Sequence, residues 1–197
     1  LEQSVGRIVK APIYIDETPG ITLTEFVAKS KRLVREKGVK IIFVDYLQLM
    51  HSGKPQLGGF SKVQEVTEIS NTLKTTAKEL NIPIIALAQL NRNLMSRMGS
   101  NGKPVLSDLK DSGSIEQDAD IVVFLHRPGL IGLAEDPDEQ AKTEVIFAKN
   151  RNGQVGSVEM RYVGHLMKFE DVQPTFYESA MNSEPISSPA KTKERQE

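Results

Sequence analysis

Cysteine is absent from all 197 residues. That removes thiol nucleophiles, zinc–thiolate centres and disulfides, and it fits a cytoplasmic protein. No apolar run reaches membrane-spanning length, and the N-terminus lacks the basic, apolar and small-residue order of a secretory signal. Net charge is also nearly missing: 25 Lys and Arg stand against 26 Asp and Glu, a balance of −1. Bulk charge therefore gives no footprint for nucleic acid, and any basic surface must be local. A phosphate-cradling G-x-x-x-x-G-K-S/T loop is nowhere present. The nearest approach, Gly53-Lys54, runs into Pro55. The first residue is Leu1 rather than Met, so a segment of a longer polypeptide is expected. Its length suits one sizeable core, or one domain with an appendage.

What is present alternates between two periodicities. Residues 13–15 (IYI), 41–46 (IIFVDY), 84–88 (IIALA) and 121–125 (IVVFL) are short apolar runs rich in β-branched residues. Runs without polar alternation suit strands covered on both faces, as in a parallel sheet. Helical spacing lies between them. Thr22 and Glu25 form a candidate capping box, after which Phe26, Val27, Ser30, Leu33 and Val34 share a face until Gly38 stops the helix. From about Ser61 to Leu80, Val63, Val66, Ile69, Leu73, Ala77 and Leu80 recur at spacings of three and four. Asn81-Ile82-Pro83 ends that helix and launches the next strand. Strands alternating with helices imply βαβ crossovers and an α/β sheet. After Pro128, TEVIFAKN, SVEMRYVG and HLMKFED read as antiparallel strands turned at Asn152-Gly153 and Gly164-His165, giving a mixed sheet with an antiparallel edge rather than a second domain. Residues 130–142 read as an acidic surface loop, and 179–197 as a disordered Ser/Pro/Lys/Glu tail following a single domain over 1–178.

Four places carry chemistry. Asp45 closes an apolar strand, and ligands of open α/β sheets sit beyond the carboxyl ends of strands. A carboxylate there can hold Mg²⁺ directly or through water; the structural alternative is an acid that caps a loop. Gln89 closes the neighbouring strand, where an amide can bridge a γ-phosphate or its attacking water to the next loop, or simply satisfy backbone. Arg92, Arg97 and Lys103 follow on a Gly/Ser/Asn-rich stretch that can track a phosphate backbone or merely be solvated. In SDLKDSGSIEQDAD (107–120), Lys110 and Asp111 precede Ser112-Gly113-Ser114, where small residues let N–H groups approach a phosphate. No aromatic residue lies in this loop, so it offers no stacking platform. Ser114 is a candidate cap for a short helix, with Gln117 three residues on and Glu116, Asp118 and Asp120 near its start. Lastly, Lys149 and Arg151 in KNRNG point the same way at a strand end. That pairing suits charge on a transferring phosphoryl group, or an ordinary basic hairpin.

Taken in order, IYIDETPGIT, VDYLQLM, QEVTEISNTLKTTAKELNIPIIALAQLNR, SDLKDSGSIEQDAD and KNRNG resemble the C-terminal motor of DnaB-type replicative DNA helicases over nearly everything from Leu1 to Phe169. The resemblance implies a RecA-like P-loop ATPase core, mostly parallel with an antiparallel C-terminal edge and truncated on its N-terminal side. It implies an ATP- and Mg²⁺-dependent helicase, a homohexameric ring that translocates on single-stranded DNA and unwinds duplex, with primase and a helicase loader as possible partners. It assigns Asp45 to the metal-holding acid, Gln89 to the γ-phosphate sensor and Lys110, Asp111 and Gly113 to the DNA-gripping loop. Arg151 becomes the finger that enters a neighbouring subunit's site, with Lys149 its companion. Lys110-Asp111 departs from the Arg-Glu commoner in the family, and lysine lacks the planar fork of arginine. The phosphate-binding loop, the acid that activates water and the N-terminal collar would all lie upstream of Leu1.

Two rival readings remain: a RecA- or RadA-like recombination ATPase of the same fold, and a non-catalytic half-motor that only binds DNA or a sister subunit. The continuous SGSIEQDAD block favours the helicase over the first, and the missing phosphate loop tests the second experimentally. These 197 residues alone should hydrolyse ATP no faster than background. An upstream extension that restores the loop should confer turnover stimulated by single-stranded DNA, measured as phosphate release. Robust turnover by the short chain would contradict the assignment.

Overall fold

The computed structural model describes residues 6, 9–53, 61–90, 102–131 and 140–172, with the backbone alone at 110–113, 130 and 131. Arg92, Arg97, Lys54, the acidic stretch 132–139 and the tail 179–197 lie outside the described residues.

Two helices build the main core. Helix α1, Leu23–Lys37, starts where Thr22 and Glu25 exchange hydrogen bonds: the Glu25 N–H donates to the Thr22 hydroxyl at 3.3 Å and the Thr22 N–H to the Glu25 carboxylate at 3.0 Å. It stops at Gly38, whose φ of +66° glycine adopts without a Cβ penalty. Helix α2, Lys62–Leu80, has its own capping box, Ser61 with Gln64, and ends on Asn81 in the left-handed region. Its stripe buries Val66, Ile69 and Leu73 against Leu23 and Phe26 of α1 and against Leu47 and Met50. Val63 departs from the expected stripe: it sits in the first helical turn and remains 47% exposed.

Between the helices runs β1, Ile42–Val44, which pairs in parallel with β2, Ile84–Ala86, in the register Ile42↔Ile84, Phe43↔Ile85 and Val44↔Ala86. Both strands were expected to be covered on two faces. Among the described residues they are covered on one: Ile42, Val44 and Ile84 pack on the core while Phe43 is 63% and Ile85 45% exposed. Pairing continues past the strand ends. The Leu87 N–H donates to the Val44 carbonyl at 2.9 Å and the Leu47 N–H to the Leu87 carbonyl at 2.8 Å. A side chain takes over from there. The Gln48 amide donates to the Gln89 carbonyl at 3.1 Å and accepts the Gln89 N–H at 3.3 Å.

The strand expected at 13–15 is absent. Residues 12–18 carry no ladder, and Ile13 and Ile15 are 64% and 81% exposed. Asp16 anchors the segment instead, accepting from Lys29 of α1 and from both the N–H and hydroxyl of Thr18. Those bonds, that of Lys29 foremost, lower the Asp16 pKa to about 2. Among the described residues no strand edge lies beside this run, and the Ile13 N–H donates instead to the Ala11 carbonyl at 2.8 Å, whatever the β propensity of the segment.

The second sheet is four-stranded, in the order β3 (Ile121–His126), β4 (Lys142–Asn150), β5 (Gly156–Val163) and β6 (Lys168–Asp171). Strand β4 pairs antiparallel with β5 from Lys142↔Arg161 to Phe147↔Gly156, and β5 with β6 from Met160↔Asp171 to Val163↔Lys168. The antiparallel C-terminal strands are as expected, yet they belong to a sheet separate from the parallel pair among the described residues. Connection β4–β5 passes through Asn152-Gly153, whereas β5–β6 uses a 3₁₀ turn, Gly164–Leu166, closed by Met167 at φ +49°. Two compact units result, one from the described residues of Leu1–Val122 with Ala148–Val155, the other from those of Val123–Phe147 with Gly156–Glu197. In the second, Phe124, His126 and Thr143 are buried, Arg127 lies 3.9 Å from the Tyr162 ring centroid, and Tyr162 meets Phe169 at 4.9 Å. No helix among the described residues is long and apolar enough to cross a membrane.

Ile69→Ala should cost about 3 kcal/mol in chemical denaturation, because the residue is 1% exposed at the helix crossing. Val63→Ala should stay within about 0.5 kcal/mol. Gln48→Leu should accelerate hydrogen exchange at the Gln89 amide by about three- to tenfold, the value of one net hydrogen bond.

Candidate active site

The site grows from the carboxyl edge of the parallel pair. Asp45 follows Val44 at the end of β1, and Gln89 lies three residues beyond Ala86 at the end of β2. Because Val44 and Ala86 are in register, both residues leave the sheet at the same edge. Burial of Leu47 and Met50, each 2% exposed, locks the chain immediately after Asp45 onto the core. Removing such a side chain from water stabilises by about 2 kcal/mol. The carboxylate itself is exposed, not buried as its place in the apolar run suggested. β1 ends at Val44, one residue short of the acid, so no desolvation penalty needs offsetting.

A metal would find one hard donor here. The described residues contain no group of three or more His, Asp or Glu able to hold an ion. A single exposed carboxylate nevertheless suits Mg²⁺, which retains waters and takes phosphate oxygens alongside one or two acids. Gln89 is exposed, with its main chain held on both sides by Gln48. Nothing in the spacing of VDYLQLM marked Gln48 for this task. It became visible only through contact with a residue 41 positions away.

The loop that carries Lys110 and Asp111 is a 3₁₀ segment, Leu106–Ser112, and Gly113 begins helix α3, Gly113–Asp118. The buried Asp108 fixes the start of the segment by accepting the Val105 N–H at 2.7 Å. Side-chain placement of Lys110 and Asp111 lies outside what is described, and Gly113 is described by its backbone alone. Lys103 is exposed. Ser114 was expected to cap this helix but lies inside it, and its hydroxyl has no hydrogen-bond partner among the described residues. The helix begins two residues earlier than that cap requires, which moves the acids as well. Glu116 is in the first turn, whereas Asp118 ends the helix and Asp120 lies beyond it. Asp118 accepts from the buried Ser70 hydroxyl of α2 at 2.7 Å.

Lys149 and Arg151 do lie together, and both reach the carboxyl end of α3. The Lys149 ammonium donates to the carbonyls of Glu116 and Gln117. Arg151 donates from Nη2 to the Gln117 carbonyl at 3.0 Å and from Nη1 to Asp120 Oδ1 at 3.2 Å, while its N–H donates to the Asp120 carbonyl at 2.9 Å. The last carbonyls of a helix lack partners within it, and cations are favoured there. The other oxygen of Asp120 is bound by Lys74 of α2. The hydrogen bond from Lys74, followed by the positive charges of Lys74, Arg151 and Lys78, holds the Asp120 carboxyl below the usual carboxylate range despite some desolvation. Lys74 and Asp120 are 46 positions apart, so no local pattern announced the pair.

Comparison with known proteins bears on the family and the fold. The family model of the DnaB-like helicase C terminal domain matches residues 1–171. The replicative DNA helicase DnaB of Leifsonia xyli is 47% identical over 169 residues, 86% of this chain and 35% of the relative. That of Geobacillus stearothermophilus is 42% identical over 180 residues, 91% of this chain and 38% of the relative. The chain thus spans little more than a third of the length of these two relatives. Among solved structures, an isolated ATPase domain superposes with a TM-score of 0.77 at 33% identity, covering 87% of this chain and 59% of that one. A DnaB-like replicative helicase described together with its interactions with primase superposes at 0.76 and 34% identity, covering 88% and 40%. The two sheets and their helices are therefore those of a RecA-like α/β ATPase fold, and this chain belongs to the DnaB-like helicase C-terminal domain family.

Proposed function

We propose that this chain is the motor segment of a replicative DNA helicase that couples ATP hydrolysis to movement along single-stranded DNA and unwinding of duplex. The observation that carries the reading is the shared edge from which Asp45 and Gln89 emerge, one carboxylate and one amide just beyond the ends of adjacent in-register strands. That is where an open α/β sheet receives a ligand. Bound there, Mg²⁺ would neutralise charge between the phosphates of ATP. Asp45 would hold the ion, directly or through water, as an exposed oxygen donor. Gln89 would orient toward the γ-phosphoryl group or the attacking water. Its main chain is clamped by Gln48, which fixes the point from which that side chain departs.

Water attacks the γ-phosphorus in line as the bond to the bridging oxygen breaks, and negative charge spreads over the transferring group. A cation supplied by a neighbouring subunit stabilises that charge, and Arg151 with Lys149 fits the role. The loop 107–113 fits the part that follows a DNA backbone without reading sequence, through Lys110 and the N–H groups near Gly113. A homohexameric ring, primase and a loader are the partners such a motor would take. The recombination-ATPase alternative shares the fold but not the family match over residues 1–171.

In the full-length protein, Arg151→Ala should lower single-stranded-DNA-stimulated ATP turnover by about a thousandfold while ring assembly, followed by light scattering, persists. Turnover at the parental rate would eliminate the finger assignment. Lys110→Ala should weaken DNA binding and reduce the slope of log affinity against log salt by about one, read in a fluorescence titration across ionic strengths. An unchanged slope would remove Lys110 from the DNA contact.

A further inference from the structure

We infer that Asp120 is a positioning residue for Arg151, fixing the guanidinium at the carboxyl end of α3 and so joining the DNA-loop segment to the finger. The inference rests on the finger reading above and adds a residue to it. Five contacts converge. Asp120 binds Arg151 twice, through its carboxylate at 3.2 Å and through its main-chain carbonyl at 2.9 Å. Gln117, the penultimate residue of α3, accepts from the same guanidinium at 3.0 Å and also from Lys149. Lys74 of α2 holds the second carboxylate oxygen of Asp120, so the acid cannot swing away with the arginine.

The geometry leaves Arg151 able to act. Its side chain is 49% exposed, and only two of its N–H donors are engaged in the contacts above. The rest of the fork is available to a phosphoryl oxygen. An arginine tethered on one side and open on the other loses little freedom on meeting a partner, which is the benefit of preorganisation. The tether also transmits movement. The segment Leu106–Ser112 continues directly into α3, and the penultimate residue of α3 carries the carbonyl that Arg151 and Lys149 share. A displacement of the loop by DNA would thus pull on the finger through one short helix. Asp118, bound to Ser70 of α2, and Asp120, bound to Lys74, are the points at which that helix end is fastened to the core.

The test uses the full-length helicase with saturating single-stranded DNA. Asp120→Asn keeps size and a hydrogen-bonding oxygen but removes the charge. It should lower kcat for ATP by about tenfold with KM within about twofold, because the finger acts on the transition state and not on ground-state binding. Asp120→Glu, which retains the carboxylate, should recover most of the loss. Thermal melting of each variant, close to that of the parent, excludes collapse of α3 as the cause. Lys74→Met provides a second, independent variant and should lower kcat in the same direction to a smaller extent. Parental or raised kcat in Asp120→Asn, with Arg151→Ala inactive, overturns this inference while leaving the finger reading intact. Full turnover by Arg151→Ala overturns both.

Discussion

Burial of the apolar stripe of α2 is the constraint from which the described architecture follows. Val66, Ile69 and Leu73 can leave water only if something flat and apolar lies across them. Leu23 and Phe26 of α1 supply part of that surface, and Leu47 and Met50 supply the rest. The latter pair places the candidate acid. They follow Asp45 by two and five residues, so driving them into the core carries the chain past the acid in one fixed direction and leaves the carboxylate outside.

Hydrogen bonding then extends what packing begins. The parallel ladder of β1 and β2 is only three residues long, yet its main-chain pairing runs on through Leu87 and is completed by the Gln48 side chain. A short ladder leaves unsatisfied groups at its edge, and a glutamine amide, with a donor and an acceptor side by side, satisfies both at once. The same logic governs the end of α3. Its last carbonyls have no helical partner, so Lys149 and Arg151 serve them, and Asp120 balances the cations so gathered. The candidate site is thereby assembled from ordinary demands of backbone satisfaction, with the cations already oriented.

The helices were legible because their signals are local. Thr22 with Glu25 and Gly38 marked both ends of α1, and the spacing of Val66, Ile69 and Leu73 marked the buried face of α2. Strands were legible only where a partner exists. Ile13-Tyr14-Ile15 has as much β character as Ile42-Phe43-Val44, but a strand is defined by its neighbour, and the described residues offer it none. Burial was overestimated for the same reason. Apolar runs indicated two covered faces, whereas Phe43 and Ile85 face outward among the described residues.

The sequence by itself determined the family, since its long motif blocks occur in a fixed order, and with it the residues Asp45, Gln89, Lys110, Asp111, Gly113, Lys149 and Arg151 as candidates. Tertiary structure alone decided which of them are held and by what. Gln48 on Gln89, and Lys74 with Asp120 on Arg151, join positions 41, 46 and 31 residues apart. Contacts of that range arise from how helices and strands pack, and packing depends on the whole chain's buried surface. No window along the sequence contains it.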